Sequence, residues 1–282
     1  MIFVCDESGA KGYADKDENS KCEFGLFAGY FLKNKKQQED VKKLLGESFN
    51  KIEWPNSKKH VNELKFEKDK QLIIDDVFSV FREEKIDCLY EGGYVHDFHI
   101  SYSKREKILK RIEELKKSKI RITKHKDKSL LHDELFRGLF VRAITYYEEF
   151  KNKDGLEINI DYVDEPIFKS FEKSKLEILG LFKEKCNVVP GWNPIKKKRV
   201  QGEIRIRCDA EVYAYKFNES DITMRIGEKT DPLIVGADVL VYTLYKYFEK
   251  QNSLGNYVSL NSKSSLNSFK YKDVIHELCF SD

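Results

Sequence analysis

IFVCDESG, residues 2–9, is apolar for four positions and then turns abruptly acidic. Ile2 to Asp6 read as a short strand, and Ser8-Gly9 as the turn that closes it. In α/β sheets ligands gather at the carboxyl ends of strands, which makes Asp6 a candidate ligand-bearing residue. A plainer reading also stands, since acids and Ser-Gly are ordinary turn residues.

Working outward, CEFGLFAGYFL (22–32) reads as a second strand rich in aromatics. Val41, Leu44, Leu45 and Phe49 recur at helical spacing and predict a helix over 36–49. Leu72, Ile73, Val77, Val80 and Phe81 mark another, and residues 86–95 a strand with a close approach at Gly92-Gly93. A charged helix is expected over 103–119 and a helix with a broad apolar face over 129–150. LEINIDYV (156–163) alternates as a strand should. Pro166 opens a helix to about 185, and 200–217 suggest one or two strands. Asp231-Pro232 is a strong helix start, a capping carboxylate followed by Pro at the first helical position. That helix runs to about 250, and a polar tail over 251–282 ends in an apolar patch expected to pack on or near the core. Strands first, then helices mixed with a later strand, suit an α/β or α+β fold with a mixed sheet, and α/β with helices flanking the sheet is the expectation.

With 282 residues, 40% of them hydrophobic, the chain suffices for one large domain. The apolar run 232–247 is too short to span a bilayer and is interrupted by Asp238. The N-terminus lacks a basic flank and a small-residue cleavage site, so no secretory leader is expected. Six cysteines (5, 22, 88, 186, 208, 279) form no zinc pattern and read as reduced thiols, which points to the cytoplasm. A net charge of +3 does not by itself announce a nucleic-acid binder. Local clustering is stronger. Between Lys104 and Lys128 stand twelve Lys/Arg and four acids, a local +8. Lys104, Arg105, Lys110, Arg111, Lys117 and Arg121 represent that run, and Lys196, Lys197, Lys198 and Arg199 form a second cluster. Both patches are candidates to track a phosphate backbone, or are solvated faces of a lysine-rich protein.

Asp238 is the most informative residue. It sits in DPLIVGADVLVYTLY, the most apolar helix, with Ile234, Val241 and Tyr242 on its own side. An unpaired buried carboxylate costs several kcal/mol, about as much as a lost buried ion-pair partner. It must therefore pair with a cation, accept good hydrogen bonds, reach solvent at the helix edge, or bind metal. In 156–163, Ile158 and Ile160 share one face while Glu157, Asn159 and Asp161 share the other, so Asp161 stands at the strand end. Asp164 and Glu165 suit capping of the following helix. Glu63, in HVNELKF, is a weaker candidate in a lysine-rich setting. His96, His99 and His132 lack a ligand set of the right kind and read as structural. No P-loop and no nucleophile-elbow motif is present.

The opening F-V-x-D-E-S-G, the E-L-K segment at Glu63 to Lys65, the strand-borne Asp161 and the helix Leu233 to Val241 together resemble the bacterial DESG family of uncharacterised ribonuclease H-like proteins. The resemblance implies a ribonuclease H-like domain over residues 1–250, with a basic helical insertion at about 97–152. It implies three antiparallel strands and a fourth lying parallel to the first. Asp6, Asp161 and Asp238 would then meet at one corner, a crowding of like charge that Mg²⁺ or Mn²⁺ would relieve. By analogy with ribonuclease H-like nucleases, Asp6 would bridge two ions about 4 Å apart, and Asp161 and Asp238 would each hold one. Glu63 or Glu7 would complete the shell or position water, with Asp164 a further accessory acid. The expected activity is metal-dependent hydrolysis of DNA or RNA, with a protein partner in a bacterial defence or toxin system. The rivals are a non-catalytic binding module on the same fold and phosphoryl transfer on a small nucleotide.

Overall fold

The computed structural model describes residues 1–10, 22–55, 59–115, 130–150, 155–181, 185–193, 198–206, 219–253 and 258–280. Side chains at 105–106, 108–115, 181, 185–193, 198–206 and 219 lie outside that description. Seven strands are described: β1 (Ile2–Gly9), β2 (Phe24–Leu32), β3 (Cys88–Tyr94), β4 (Leu156–Ile160), β5 (Lys185–Asn193), β6 (Lys198–Ile206) and β7 (Ile222–Ile226). The helices are α1 (Lys35–Phe49), α2 (Glu67–Glu83), α3 (Val95–Leu115), α4 (Leu131–Glu149), α5 (Glu165–Leu181) and α6 (Pro232–Ser253).

Five strands form one mixed sheet in the order β3-β2-β1-β4-β7, and β5 and β6 pair separately. β2 runs antiparallel to both β1 and β3, while β4 lies parallel to β1 and β7 parallel to β4. Each parallel step needs a crossover, and helices occupy those connections.

All nine residues of β2 are buried, which explains why it shows no polar alternation. Phe27 stacks on His132 and meets Phe171, while Phe31 stacks on Tyr146, so this face lies under α4 and α5. On the other face Tyr30 packs on Phe81 and Phe24 on Tyr245, beneath α2 and α6. Each fully buried aromatic contributes about 1.5–3 kcal/mol of transfer free energy. α4 buries ten residues against the sheet, so this part of the stretch read as an insertion belongs to the core.

β3 is an edge strand whose outer side is closed by the tail. Cys88 bridges in parallel to Ile275, and His276 N–H donates to the Cys88 carbonyl at 2.9 Å. Asn261 accepts from Gly92 N–H and donates back to the Gly92 carbonyl. Pairing of this kind removes an aggregation-prone edge.

The structure departs from the sequence reading in places. α3 begins at Val95, earlier than expected, and carries His96 and His99 in its first turns. β5 and β7 were not anticipated. β7, ITMRI, alternates apolar and polar, but it is only five residues long and buries Ile222 alone. β4 ends at Ile160, one residue short of Asp161.

Candidate carboxylate site

β1 carries Asp6 toward the α6 face of the sheet, because Asp6 pairs with Ala28, an even-numbered neighbour of Tyr30. Cys5 pairs with Ile160, and Asp161 N–H donates to the Cys5 carbonyl at 3.0 Å. The parallel register therefore sets Asp161 beside Asp6. Gly9 ends β1 in the left-handed region at φ +90°, where a Cβ would strike the Phe24 carbonyl and the Tyr245 ring.

α6 brings Asp238 to the same corner. Asp231 accepts from Leu233 N–H at 3.0 Å and caps the helix, and Tyr30 Oη donates to the Leu233 carbonyl at 2.8 Å. At Gly236 an added Cβ would lie 3.0 Å from Leu45 and 3.2 Å from Tyr30 Oη, so the helix packs closely on α1 and β2. Two residues later Asp238 Oδ2 accepts from Val61 N–H at 2.9 Å, and His60 Nδ1 lies 3.2 Å from Oδ1. The segment Val61–Glu63 is a short 3₁₀ turn anchored by buried Val61.

Asp6, Asp161, Asp238 and Glu63 line one cavity of about 400 Å³, together with His60, Lys229 and Tyr162. Asp6 is 6% exposed and Asp161 7%, so both are genuinely buried carboxylates. Burial pushes Asp6 well above the usual carboxylate range, and Asp238, Asp161 and Glu7 add to the rise against the Glu7 amide. Burial also raises Asp161, with Asp238 adding to the rise and the Tyr162 amide, His60 and Lys229 opposing it. The bond to Asp238 raises His60, outweighing burial. Burial, then Asp6, Glu7 and Asp161, push the Cys5 thiol far up. The field at this corner is thus strongly negative.

Asp161 Oδ1 is buried without a hydrogen-bond partner. An orphaned carboxylate oxygen in a nest of acids fits a hard divalent cation such as Mg²⁺ or Mn²⁺. Among the described residues no three His, Cys, Asp or Glu side chains are grouped so as to hold a metal ion as they stand. A cation held here would draw the carboxylates toward it, with water filling its remaining positions.

The other candidates are placed as follows. Glu7 borders the cavity but its carboxylate engages His132, on the opposite face of the sheet. Asp164 is exposed and starts α5, its carbonyl accepting from Ile167 and Phe168, and it does not line the cavity. Lys104 is exposed on α3, whose Asp97, Phe98, Ser101 and Tyr102 line a separate cavity against β3. Arg105, Lys110, Arg111, Lys198 and Arg199 stand on α3 and β6, but their side chains lie outside the described residues, as do Lys117, Arg121, Lys196 and Lys197 altogether. Trp54 donates to the Phe49 carbonyl at 2.8 Å and is a rim residue of the core.

His60 and Lys229 are site residues that sequence reasoning missed. His60 opens the quoted HVNELKF stretch, yet nothing local marks it as the partner of a carboxylate 178 positions away. Lys229 places its ammonium 4.4 Å from the Tyr162 ring centre, a contact with no sequence signal. Among the described residues no helix is long and apolar enough to cross a membrane, and four cysteines (5, 22, 88, 279) are free thiols. No family profile, curated protein or solved structure matches the chain.

Proposed function

We propose that this protein is a divalent-metal-dependent nuclease of ribonuclease H-like architecture, hydrolysing phosphodiester bonds in nucleic acid. The observation that carries the reading is the convergence of Asp6, Asp161 and Asp238, from β1, the end of β4 and α6, on one cavity where Asp161 keeps a buried oxygen unpartnered. The strand order and directions of the main sheet support the architecture, and the DESG-like anchors fall on these same elements.

Asp6, Asp161 and Asp238 would hold Mg²⁺ or Mn²⁺. The ion, when bound, supplies charge stabilisation at the phosphorus and a more acidic water. His60 and the Val61 amide fix the Asp238 carboxylate from behind, as outer partners of ligating acids do. Lys229, on the cavity wall, offers a positive charge to a non-bridging phosphate oxygen. Glu63, exposed at the mouth, is placed to accept a proton from the attacking water.

The test is incubation of wild type and Asp238→Asn with labelled DNA and RNA, single- and double-stranded, in Mg²⁺ and in Mn²⁺. Cleavage that needs the metal and disappears in the variant, with circular dichroism unchanged, is the expected result. Equal cleavage by both proteins, or none by wild type on any substrate, overturns the proposal. The hydrogen-bonded state of Asp238 favours a second reading, a non-catalytic binder in which His60 takes the place of metal. That reading predicts no gain in thermal midpoint on adding Mg²⁺ or Mn²⁺.

A further inference from the structure

The acidic cavity does not end at its own rim. Asn62, Tyr242 and Lys246 line it and also line a second cavity of about 680 Å³ between α2, α6 and residues 268–271. The two are compartments of one trough, and their charges are opposite. Lys70, Lys246, Lys250 and Lys270 line the second against a single carboxylate, Glu67. The first holds the carboxylates of Asp6, Glu63, Asp161 and Asp238 against His60, Lys229 and Lys246.

The continuity is written into α6. Asp238, Tyr242, Lys246 and Lys250 are spaced four apart and form one ridge of the helix. At 1.5 Å per residue the ridge runs roughly 18 Å, from the carboxylate to the last lysine. Lys70 on α2 and Lys270 in the tail face the trough from its other side. Lys246 pairs with Glu249 at 2.7 Å, Lys70 with Glu67 at 2.7 Å and Lys270 with Asp75 at 2.5 Å. Lys246–Glu249 and Lys270–Asp75 are exposed on both sides, and pairs of that kind are weak and exchange readily for phosphate, while Lys70 keeps only 14% of its side chain exposed beside Glu67. Lys250 is exposed on the same ridge.

Two aromatic rings flank the carboxylates. Tyr162 is 56% exposed and carries Lys229 over its ring, and Tyr242 is half-buried on the ridge. Ring faces of this kind take unpaired bases, not base pairs. We propose that a single-stranded nucleic acid lies along this trough, with its phosphates on Lys70, Lys246, Lys250 and Lys270, and that it enters the carboxylate cavity past Tyr242. The inference deepens the nuclease reading for the end of the strand that reaches the carboxylates. Binding along the lysines is independent of cleavage.

The experiment is fluorescence anisotropy in EDTA with a short labelled DNA strand, the same RNA strand and their duplexes. For Lys246→Ala/Lys250→Ala we expect single-strand affinity to drop about tenfold, and the slope of log K against log salt to shrink by about 1.4, at roughly 0.7 per lost contact. Lys246→Arg/Lys250→Arg should bind like wild type, which separates lost charge from misfolding. Lys104→Ala/Lys107→Ala should leave affinity intact. The tighter of the DNA and RNA strands identifies the sugar. Wild-type affinity in the Lys246/Lys250 alanine variant, loss caused by the Lys104/Lys107 variant instead, or equal affinity for duplex overturns the trough. A wild type that binds through these lysines but cleaves nothing in Mg²⁺ or Mn²⁺ sinks the nuclease reading and leaves the trough standing. Undiminished cleavage by a variant whose binding is also undiminished does the reverse.

Discussion

Asp6 and Asp161 sit side by side with almost no access to water, and Asp238 faces them from the helix above. Their repulsion is a cost that the folded chain bears whenever no cation is present. Asp6 binds its proton more tightly when folded than when unfolded. Stability of the metal-free protein therefore falls as pH rises from the ordinary carboxylate value, near 4, through the raised folded value. Thermal melts in EDTA across this window should show the decline, and Mg²⁺ should flatten it. Asp6→Asn keeps the acceptor for the Glu7 amide and removes the charge. It should raise the metal-free midpoint at neutral pH by a few degrees, the size that about 1 kcal/mol produces in a chain of this length. It should also abolish any stabilisation by Mg²⁺. His60 titrates with the same sign in a higher pH window. Its pKa is raised by Asp238, so its contribution is complete below about 6.5 and is lost as pH climbs through the folded value. His60→Ala should lower metal affinity, read by titration calorimetry, by about 10–100-fold, as loss of an outer partner does. The three aspartates were legible in the sequence because each is an acid set against an apolar run. His60 and Lys229 were not, because their partners lie far away in the chain and their own neighbours are unremarkable.

α6 shows how an element converts sequence into placement. Its cap, its apolar body and its start at Pro232 were readable from DPLIVGADVLVYTLY, and the helix extends only to Ser253 beyond the expected end. The close approach at Gly236 sets the depth at which Asp238 meets the sheet. Gly236→Leu should cost about 1–3 kcal/mol through overpacking against Leu45 and Tyr30, measured as a lower urea midpoint. It should also displace Asp238 and reduce metal binding. β7 resisted reading for the converse reason. ITMRI alternates as a strand should but is only five residues long with Ile222 alone buried, and its parallel partner Leu156 lies far away in the chain. α3 was read late because the aromatic and histidine residues at its start lack the apolar spacing seen further along.

At the scale of the molecule, two layers of helices close a sheet whose centre is β1. The sequence order of strands and helices was enough for the fold class, but it could not state which strand lies at which edge. The tail contributes Leu260, Leu266, Phe269, Tyr271, Val274 and Cys279 to the core. Packing of the tail on the core was expected from its terminal apolar patch, but Leu260, Leu266, Phe269 and Tyr271 were not read as core because exposed Ser, Asn and Lys separate them. A chain truncated before residue 258 should leave the outer edge of β3 unpaired and the α2 side uncovered. We expect it to aggregate or to be cut rapidly by protease under conditions where the full chain is resistant. The bond between Tyr90 N–H and Cys279 Sγ joins positions 189 residues apart. Ribosomes deliver about 5–20 residues per second, so roughly 10–40 s of synthesis separate the two. A nascent chain therefore carries an open strand throughout that interval, and Asp238 too emerges long after Asp6. The corner shared by Asp6, Asp161 and Asp238 can therefore close only after the ribosome has passed residue 238, so its crowding of like charge is met late in synthesis.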